Sequence, residues 1–269
     1  MRVGLTPMFR GLAAGLMAGL IAGLIAAFLA LLAVTATAQP AAAPPDPRRS
    51  GFEFMSPATQ AMQRDDSANP AFLWVQDGRR RFEADCLRCH TPASLRGVAA
   101  RHPAWDEATA QPLTLAGRIR SCQQRHVRGP ELAFESEALL GLEAFVAHAS
   151  RGQPIAPPAD ARLAPARELG ARLYTQPFGQ LAMSCAQCHD ALAGRRLGGS
   201  AIPQAHPTAY PLYRLEWQGL GSLERRLRQC FSGVRAEPPA FGSRDLVALQ
   251  LFLAQRAAGM VVESPGVRP

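Results

Sequence analysis

The chain has 269 residues, of which 48% are hydrophobic and 19% are charged, and its net charge is +8. This length allows more than one domain, because domains usually span about 100 to 200 residues. The positive charge favours anionic substrates or acidic partners, but the chain has no basic tail and no recognisable nucleic-acid-binding fold, so we exclude nucleic acid as a partner.

Residues 1–38 predict an export signal. Arg2 and Arg10 precede an apolar run from Gly11 to Val34, and the run is followed by the small residues Ala36-Thr37-Ala38. This order is typical of a cleavable signal peptide. The run is long enough to span a bilayer if it stays uncleaved, but the small-residue site favours cleavage after Ala38. We therefore predict an exported chain with no membrane span after cleavage and a net charge of +6, since residues 1–38 contain two arginines and no acid.

Breaker residues and apolar periodicity predict a mainly α chain in two parts. Residues 39–50, rich in Ala and Pro, predict a disordered lead-in, and the prolines between Gly152 and Asp160 predict a linker. The expected domains are residues 51–155 and 156–269. Helices are predicted over about Asp77–Cys86, Leu115–Cys122, Ser136–Ser150, Ala164–Leu173, Leu215–Cys230 and Arg244–Ala257, with a loop over Gly194–Pro211 and an extended surface tail to Pro269.

Two Cys-x-x-Cys-His pentads carry the strongest chemical signal. In such a pentad the two thiols form thioether bonds to a porphyrin and the histidine supplies an axial nitrogen to iron. We therefore predict two covalently attached haem c groups, and export agrees with this because bacteria attach haem c outside the cytoplasm, in the periplasm. The predicted haem-binding residues are Cys86, Cys89 and His90 in the first half and Cys185, Cys188 and His189 in the second.

The remaining two cysteines occupy matching places in the two halves. Arg118-Ile-Arg-Ser-Cys122 aligns with Arg226-Leu-Arg-Gln-Cys230, and the apolar segments after Ser136 and Ser243 also run in parallel. The repeat predicts two tandem class I-like cytochrome c domains related by internal duplication. Nearby arginines favour the thiolate form of a cysteine. Cys122 and Cys230 are thus candidates for the second axial ligands of the two irons.

Other sixth ligands and other roles for these cysteines stay open. Haem iron more often takes Met or His than a thiolate as its second ligand, although no such residue recurs at a matching place in both halves. Cys122 and Cys230 could instead form a disulfide, which export permits, or be inert buried thiols. The rival ligands are His102, His126 and His148 in the first half and His206 and Met260 in the second.

The chain after the signal resembles the SoxA family of sulfur-oxidising cytochromes over nearly its whole length. The resemblance is densest in Tyr210–Gln218, Leu223–Cys230 and Gly233–Glu237, and Asn69–Val75 supports it upstream. It implies an L-cysteine S-thiosulfotransferase of the two-haem form, which conjugates thiosulfate oxidatively to a cysteine of a SoxYZ carrier protein. It also implies a heterodimer with a small SoxX cytochrome and transfer of two electrons to a downstream cytochrome.

By position, the resemblance implies that Cys230 is both the axial ligand of the second haem and the catalytic cysteine, found in the family as a persulfide. It implies that Arg226 contacts the anionic substrate and that Cys122 ligates the first haem. The planar guanidinium of Arg226 suits an oxyanion, and cysteine sulfur forms and breaks S–S bonds readily. One competing class is a diheme electron-transfer cytochrome without its own substrate, in which Cys230 would be incidental. Another is a diheme peroxidase, which needs an iron position that can open and is disfavoured by the two candidate thiolates.

Overall fold

The computed structural model describes residues 46–127 and 129–269, so the predicted signal peptide and residues 39–45 of the lead-in lie outside the described residues. The described chain is mainly helical, as predicted. Its α-helices are α1 (Pro57–Arg64), α2 (Phe72–Asp85), α3 (Leu115–His126), α4 (Glu137–His148), α5 (Ala164–Thr175), α6 (Leu223–Gly233) and α7 (Arg244–Arg256). Its strands are β1 (Ala104–Asp106), β2 (Gln111–Leu113), β3 (Arg196–Leu197), β4 (Ser200–Ala201), β5 (Leu212–Arg214), β6 (Gly219–Gly221) and β7 (Gly266–Arg268). Within the described ranges, no helix has both the length and the apolar character needed to cross a membrane.

Each half of the chain is built on one pair of packed helices, α2 with α4 and α5 with α7. Both pairs approach closely at a glycine: a Cβ at Gly78 would collide with the carbonyl oxygen of Gly141, and a Cβ at Gly170 with that of Ala248. Glycine allows this approach because it has no Cβ. Buried apolar residues form two main cores, which include Val75, Phe82, Leu139, Leu142 and Phe145 in one and Leu173, Tyr174, Phe231, Leu246 and Leu249 in the other. The first core also includes Tyr213, Leu220 and Val267 of strands β5, β6 and β7.

The two cysteines outside the pentads, Cys122 and Cys230, are called the late cysteines. A β-hairpin precedes each of the helices on which they lie. Strand β1 pairs antiparallel with β2 before α3, and β5 pairs antiparallel with β6 before α6. The side chains of Thr114 and Ser222 then accept hydrogen bonds from backbone N–H groups of the first helical turn, which fixes the start of each helix. Cys122 and Cys230 are consequently the eighth residues of α3 and α6.

The helix predicted from Leu215 to Cys230 begins eight residues later than expected, at Leu223. Residues 212–221 form the β5–β6 hairpin instead, with Trp217 in its turn and Gln218 at a positive φ of 49°. The two glycines of β6 and the N-cap of Ser222 were the sequence signal for this break. The prediction that Trp217 lies in a helix is therefore wrong.

The prediction that the tail lies on the surface is also wrong, because part of it is buried. Strand β7 pairs in parallel with β5, and Ser264 and Val267 are completely buried. The end of the predicted disordered lead-in is likewise fixed, because Ser50 is buried and caps a short 3₁₀ turn at Gly51–Phe54. Both ends of the described chain after Asp46 thus contribute packed structure.

The predicted linker packs against the halves that it joins. The backbone N–H of Ile155 donates to the carbonyl of Met260 at 2.8 Å, and that of Ala156 donates to the carbonyl of Ala100 at 2.9 Å. Residues 152–160 contain no helix or strand, in agreement with the proline-based prediction. The domain boundary between residues 155 and 156 stays a prediction.

A buried carboxyl group lies where the two halves meet. Glu143 of α4 lines a small cavity together with Glu135, Glu224 of α6 and Gln250 of α7. Burial, together with the charges of Glu135 and Glu224, raises the pKa of Glu143 to about 8 from an ordinary value of 4.5. The folded protein therefore binds an additional proton between these two pH values.

Replacing Glu143 with glutamine is expected to reduce the pH dependence of stability. Because the wild-type carboxyl is protonated when folded and ionised when unfolded, its contribution to the free energy of unfolding is lost as pH rises from about 5 to 8, by up to about 1.4 kcal/mol per pH unit. Urea unfolding at several pH values measures the slope. Glu137→Gln is the control, since Glu137 lies exposed on the same helix. An equal slope in wild type and Glu143→Gln would contradict this assignment.

Candidate functional site

The second pentad is positioned by a short π-helix, Gln187–Ala191. Single π turns of this kind occur frequently at functional sites. The Nδ1 atom of His189 lies 2.7 Å from the carbonyl oxygen of Pro203. Because a carbonyl only accepts, Nδ1 donates this hydrogen bond, which fixes the orientation of the ring. A histidine held in this way presents Nε2 as a metal ligand.

Cys230 lies beside His189. It is partly buried, and its thiol is hydrogen-bonded to the His189 side chain. Burial raises the pKa of Cys230, but the hydrogen bond from His189 and the positive charges of Arg226 and Arg214 outweigh burial and lower the pKa below its ordinary value. The site therefore favours a thiolate at Cys230.

Arg226 lies on the same face of α6 as Cys230, four residues before it, because positions i and i+4 of a helix are neighbours. Burial lowers the pKa of Arg226, but the charges of Cys230 and Tyr210 outweigh burial and raise it. Among the described residues, its guanidinium donates to the neutral amide oxygen of Gln229, at 3.3 Å. Arg226 thus places a positive charge beside the cysteine with no carboxylate bonded to it in the part of the chain that the structure describes.

Two further residues of this site were missed as site residues by the sequence analysis. Arg214, at the end of β5, and Tyr210, just before β5, both interact electrostatically with Cys230 and Arg226. Both lie in the Tyr210–Gln218 stretch that carries the family resemblance, but nothing in their spacing links them to Cys230. Only the hairpin, which the helix prediction overlooked, brings them there.

The first repeat brings a matching set of cysteines together. Cys122 lies close enough to Cys86 that, after burial, its charge is the largest influence that raises the pKa of Cys86 to about 11. Cys230 acts in the same way on Cys185, whose pKa also rises to about 11, chiefly through burial. The late cysteine of each half therefore faces the first cysteine of its own pentad. His90 and Cys89 of the first pentad are exposed.

Not every arginine beside the two late cysteines belongs to a site. The guanidiniums of Arg120 and Arg228 lie over the rings of Phe134 and Phe241, at 4.0 and 4.5 Å from the ring centroids. These two rings stack on each other at 5.9 Å across the repeats. Arg120 and Arg228 also donate to backbone carbonyls of the loops that follow. Their role is to join the two halves.

Three of the rival ligands make other contacts, whereas His126 and His206 stay open as alternatives. His102 is bonded through Nδ1 to the carbonyl of Val98 at 2.8 Å, and His148 packs edge-on against Phe72 at 5.1 Å. Met260 packs against a separate apolar cluster. All six cysteines are free, so the alternative of a Cys122–Cys230 disulfide is not realised.

The donor sets fit covalently attached haem. In the second half, two thiols three residues apart, an imidazole fixed through Nδ1 and a third thiol beside it are residue types that could form the two thioether links to a haem c and bind its iron. In the first half the same residue types recur, with Cys122 close to Cys86. The residues that would hold haem are Cys86, Cys89, His90 and Cys122 in the first half and Cys185, Cys188, His189 and Cys230 in the second.

Known proteins match this chain over most of its length. The family described as SoxA/TsdA, cytochrome c domain, matches residues 73–155 and 169–262. An L-cysteine S-thiosulfotransferase subunit SoxA from Pseudaminobacter salicylatoxidans is 31% identical, covering 87% of this chain and 86% of that protein. The corresponding subunit from Paracoccus pantotrophus is 32% identical, covering 87% and 84%. The crystal structure of SoxXA from P. pantotrophus matches with a TM-score of 0.79 and 30% identity, covering 82% of this chain and 87% of that chain.

Proposed function

The chain belongs to the SoxA/TsdA cytochrome c family, and we propose that it is the L-cysteine S-thiosulfotransferase subunit that joins thiosulfate to a cysteine of a SoxYZ-type carrier protein. The reaction forms one S–S bond between the carrier sulfur and the sulfane sulfur of thiosulfate. The S–H bond of the carrier breaks, so one proton and two electrons leave for each conjugate. The electrons go to a SoxX-type small cytochrome and from there to a downstream cytochrome acceptor.

The observation that carries the proposal is the partly buried Cys230 thiol, which is hydrogen-bonded to His189 and close to the charges of Arg226 and Arg214. A plain electron-transfer cytochrome needs no thiol with a lowered pKa and no cationic residues around it. Sulfur-transfer chemistry needs both, because the thiolate is the reactive form of cysteine and thiosulfate is a dianion. Arg226 offers two parallel N–H donors to the sulfonate oxygens.

Cys230 acts as the covalent sulfur carrier within the site. Its thiolate joins the sulfane sulfur of thiosulfate with loss of two electrons, and the carrier thiolate then attacks that same sulfur. The second step is a thiol–disulfide exchange that breaks the bond to Cys230 and restores its thiolate. A Cys230 persulfide, the form that the family resemblance implies, would carry out the same exchange one sulfur further out.

The haem group that the second pentad would hold would supply one-electron oxidation close to this sulfur. His189 and Cys230 would bind the iron of the second haem, and His90 and Cys122 would bind that of the first. His189 is fixed for this role by the hydrogen bond from its Nδ1 to the Pro203 carbonyl. The protein works in the periplasm, to which the predicted signal peptide directs it, as a heterodimer with the SoxX-type subunit.

A conjugation assay tests the function. The holoenzyme with its small cytochrome subunit, a reduced SoxYZ-type carrier, thiosulfate and an oxidised cytochrome acceptor is expected to yield a carrier whose mass has increased by one thiosulfate. Two electrons should reach the acceptor per conjugate. A carrier with its cysteine alkylated is the control and should yield neither. Reduction of the acceptor without a carrier adduct would favour the electron-transfer alternative.

A further inference from the structure

The two repeats carry opposite charges at one equivalent position. Asp106 is the last residue of β1 and Arg214 is the last residue of β5, the first strands of the hairpins that precede α3 and α6. Each faces the first residue of its partner strand, Gln111 or Gly219. The sequence separation from Asp106 to Cys122 equals that from Arg214 to Cys230. The duplicated hairpin therefore presents an acid to one cysteine-bearing helix and a base to the other.

In the first repeat, Asp106 pairs with positive charges of α3. The Asp106 side chain is only 1% exposed and forms ion pairs with Arg118 and Arg125 of α3. Thr109 donates to the same carboxylate from its hydroxyl at 2.7 Å, and together with the arginines it lowers the pKa of Asp106 to about 2. Arg118, the equivalent of Arg226, is thus already paired with Asp106 and does not offer its guanidinium to an anion.

In the second repeat the same position adds a cation. The Arg214 side chain is 13% exposed. Its Nη2 atom lies 2.8 Å from the carboxylate of Glu216, and the Glu216 side chain is 61% exposed. The Nε donor of Arg214 is buried and has no partner among the described residues. The guanidinium also lies over the Trp217 ring, 5.2 Å from the centroid. The guanidinium of Arg214 is therefore fixed on its solvent side, while its buried Nε–H makes no hydrogen bond with the described residues.

Arg214 and Arg226 repel each other across the site. Burial and, next, the Arg226 charge lower the pKa of Arg214, and both charges act on Cys230. Two like charges in a partly buried site are costly unless an anion is shared between them. An unused buried donor is a further cost that a ligand oxygen would remove.

We propose that Arg214 is a second substrate-binding residue of the Cys230 site, and that with Arg226 it selects a dianionic sulfur oxoanion. The first repeat has no such site because Asp106 stands where Arg214 stands in the second. The proposal rests on the proposed function for the identity of the anion, thiosulfate.

Three variants of Arg214 test the assignment. Arg214→Leu is expected to raise KM and the calorimetric Kd for thiosulfate by about 10- to 100-fold, the loss of one hydrogen bond to a charged group, with kcat changed much less. Arg214→Lys should recover part of the loss. Arg214→Asp places at this position the residue type that the first repeat has there. The new carboxylate should pair with Arg226, as Asp106 pairs with Arg118. This variant should stay folded and should raise KM more than the other two.

The charge of the probe separates substrate binding from a structural role. In wild type, thiosulfate should bind more tightly than the monoanion methanethiosulfonate, and Arg214→Leu should reduce this preference by about 10-fold or more. Arg172→Leu, which removes an exposed arginine of the same half, should leave both Kd values unchanged. Unchanged Kd and KM in Arg214→Leu, or a fall in kcat alone, would overturn the proposal. A wild type that binds thiosulfate but forms no conjugate would contradict the proposed function and not the role of Arg214.

Discussion

Replacing Cys230 with alanine is expected to abolish thiosulfate conjugation, with a loss of at least about 10³-fold in kcat. The side chain that would carry the covalent sulfur is removed, and no other cysteine lies on this face of α6. Both covalent haems should be retained, since the thioether-forming residues of the pentads are untouched. A coupled assay with the carrier protein measures the activity, and a haem stain of the denatured chain measures attachment.

The repeat supplies a matched control for this variant. Cys122→Ala removes the equivalent sulfur from α3, where Arg118 is paired with Asp106, so thiosulfate conjugation should continue. Conjugation that survives in Cys230→Ala would refute the enzyme assignment. Loss of haem from Cys230→Ala would show that the variant had damaged the fold, and Cys230→Ser would then be the variant to assay.

Replacing Arg226 with leucine is expected to lower kcat/KM for thiosulfate by about 30- to 1,000-fold, which corresponds to about 2–4 kcal/mol. The variant removes the charge that contacts the anion and also one of the charges that lower the pKa of Cys230. The pKa of the thiol should therefore rise. Steady-state kinetics as a function of thiosulfate concentration and pH measures both effects.

Arg118→Leu is the control at the equivalent place in the first repeat. It should leave the kinetics for thiosulfate unchanged, because Arg118 is bound to Asp106 and not to substrate. The fold should persist, since Arg125 remains bonded to the same carboxylate at 2.9 Å. Equal kinetic losses in the two variants would mean that the arginines act through long-range attraction and not through contact.

Local sequence patterns predicted much of the architecture. The apolar spacing after Ser136 and Ser243 and the duplicated Arg-x-Arg-x-Cys motif indicated two helical repeats, and the family match in two segments confirms the tandem cytochrome c fold. The helices α4 and α7 end within two residues of their predicted limits. Such features depend on neighbours along one helix, which a sequence displays directly.

Long-range features were not accessible in the same way. The β5–β6 hairpin was assigned to a helix, and the tail was assigned to the surface although β7 pairs with β5 across more than fifty residues. Asp106 and Arg214 can be recognised as equivalent positions of opposite charge only when the two hairpins are known. Arg214 was therefore missed, whereas Arg226 was named because the family resemblance implies its role, four residues before Cys230.

The mass of the peptide that contains Cys230 tests the central claim most directly. After reaction of the holoenzyme with thiosulfate and an oxidised acceptor, without carrier protein, we expect sulfur to be added at Cys230 and at no other cysteine. Subsequent addition of reduced carrier should remove the thiosulfate-derived sulfur. An unmodified Cys230 in an enzyme that still turns over would contradict the account, because the sulfur chemistry would then occur elsewhere.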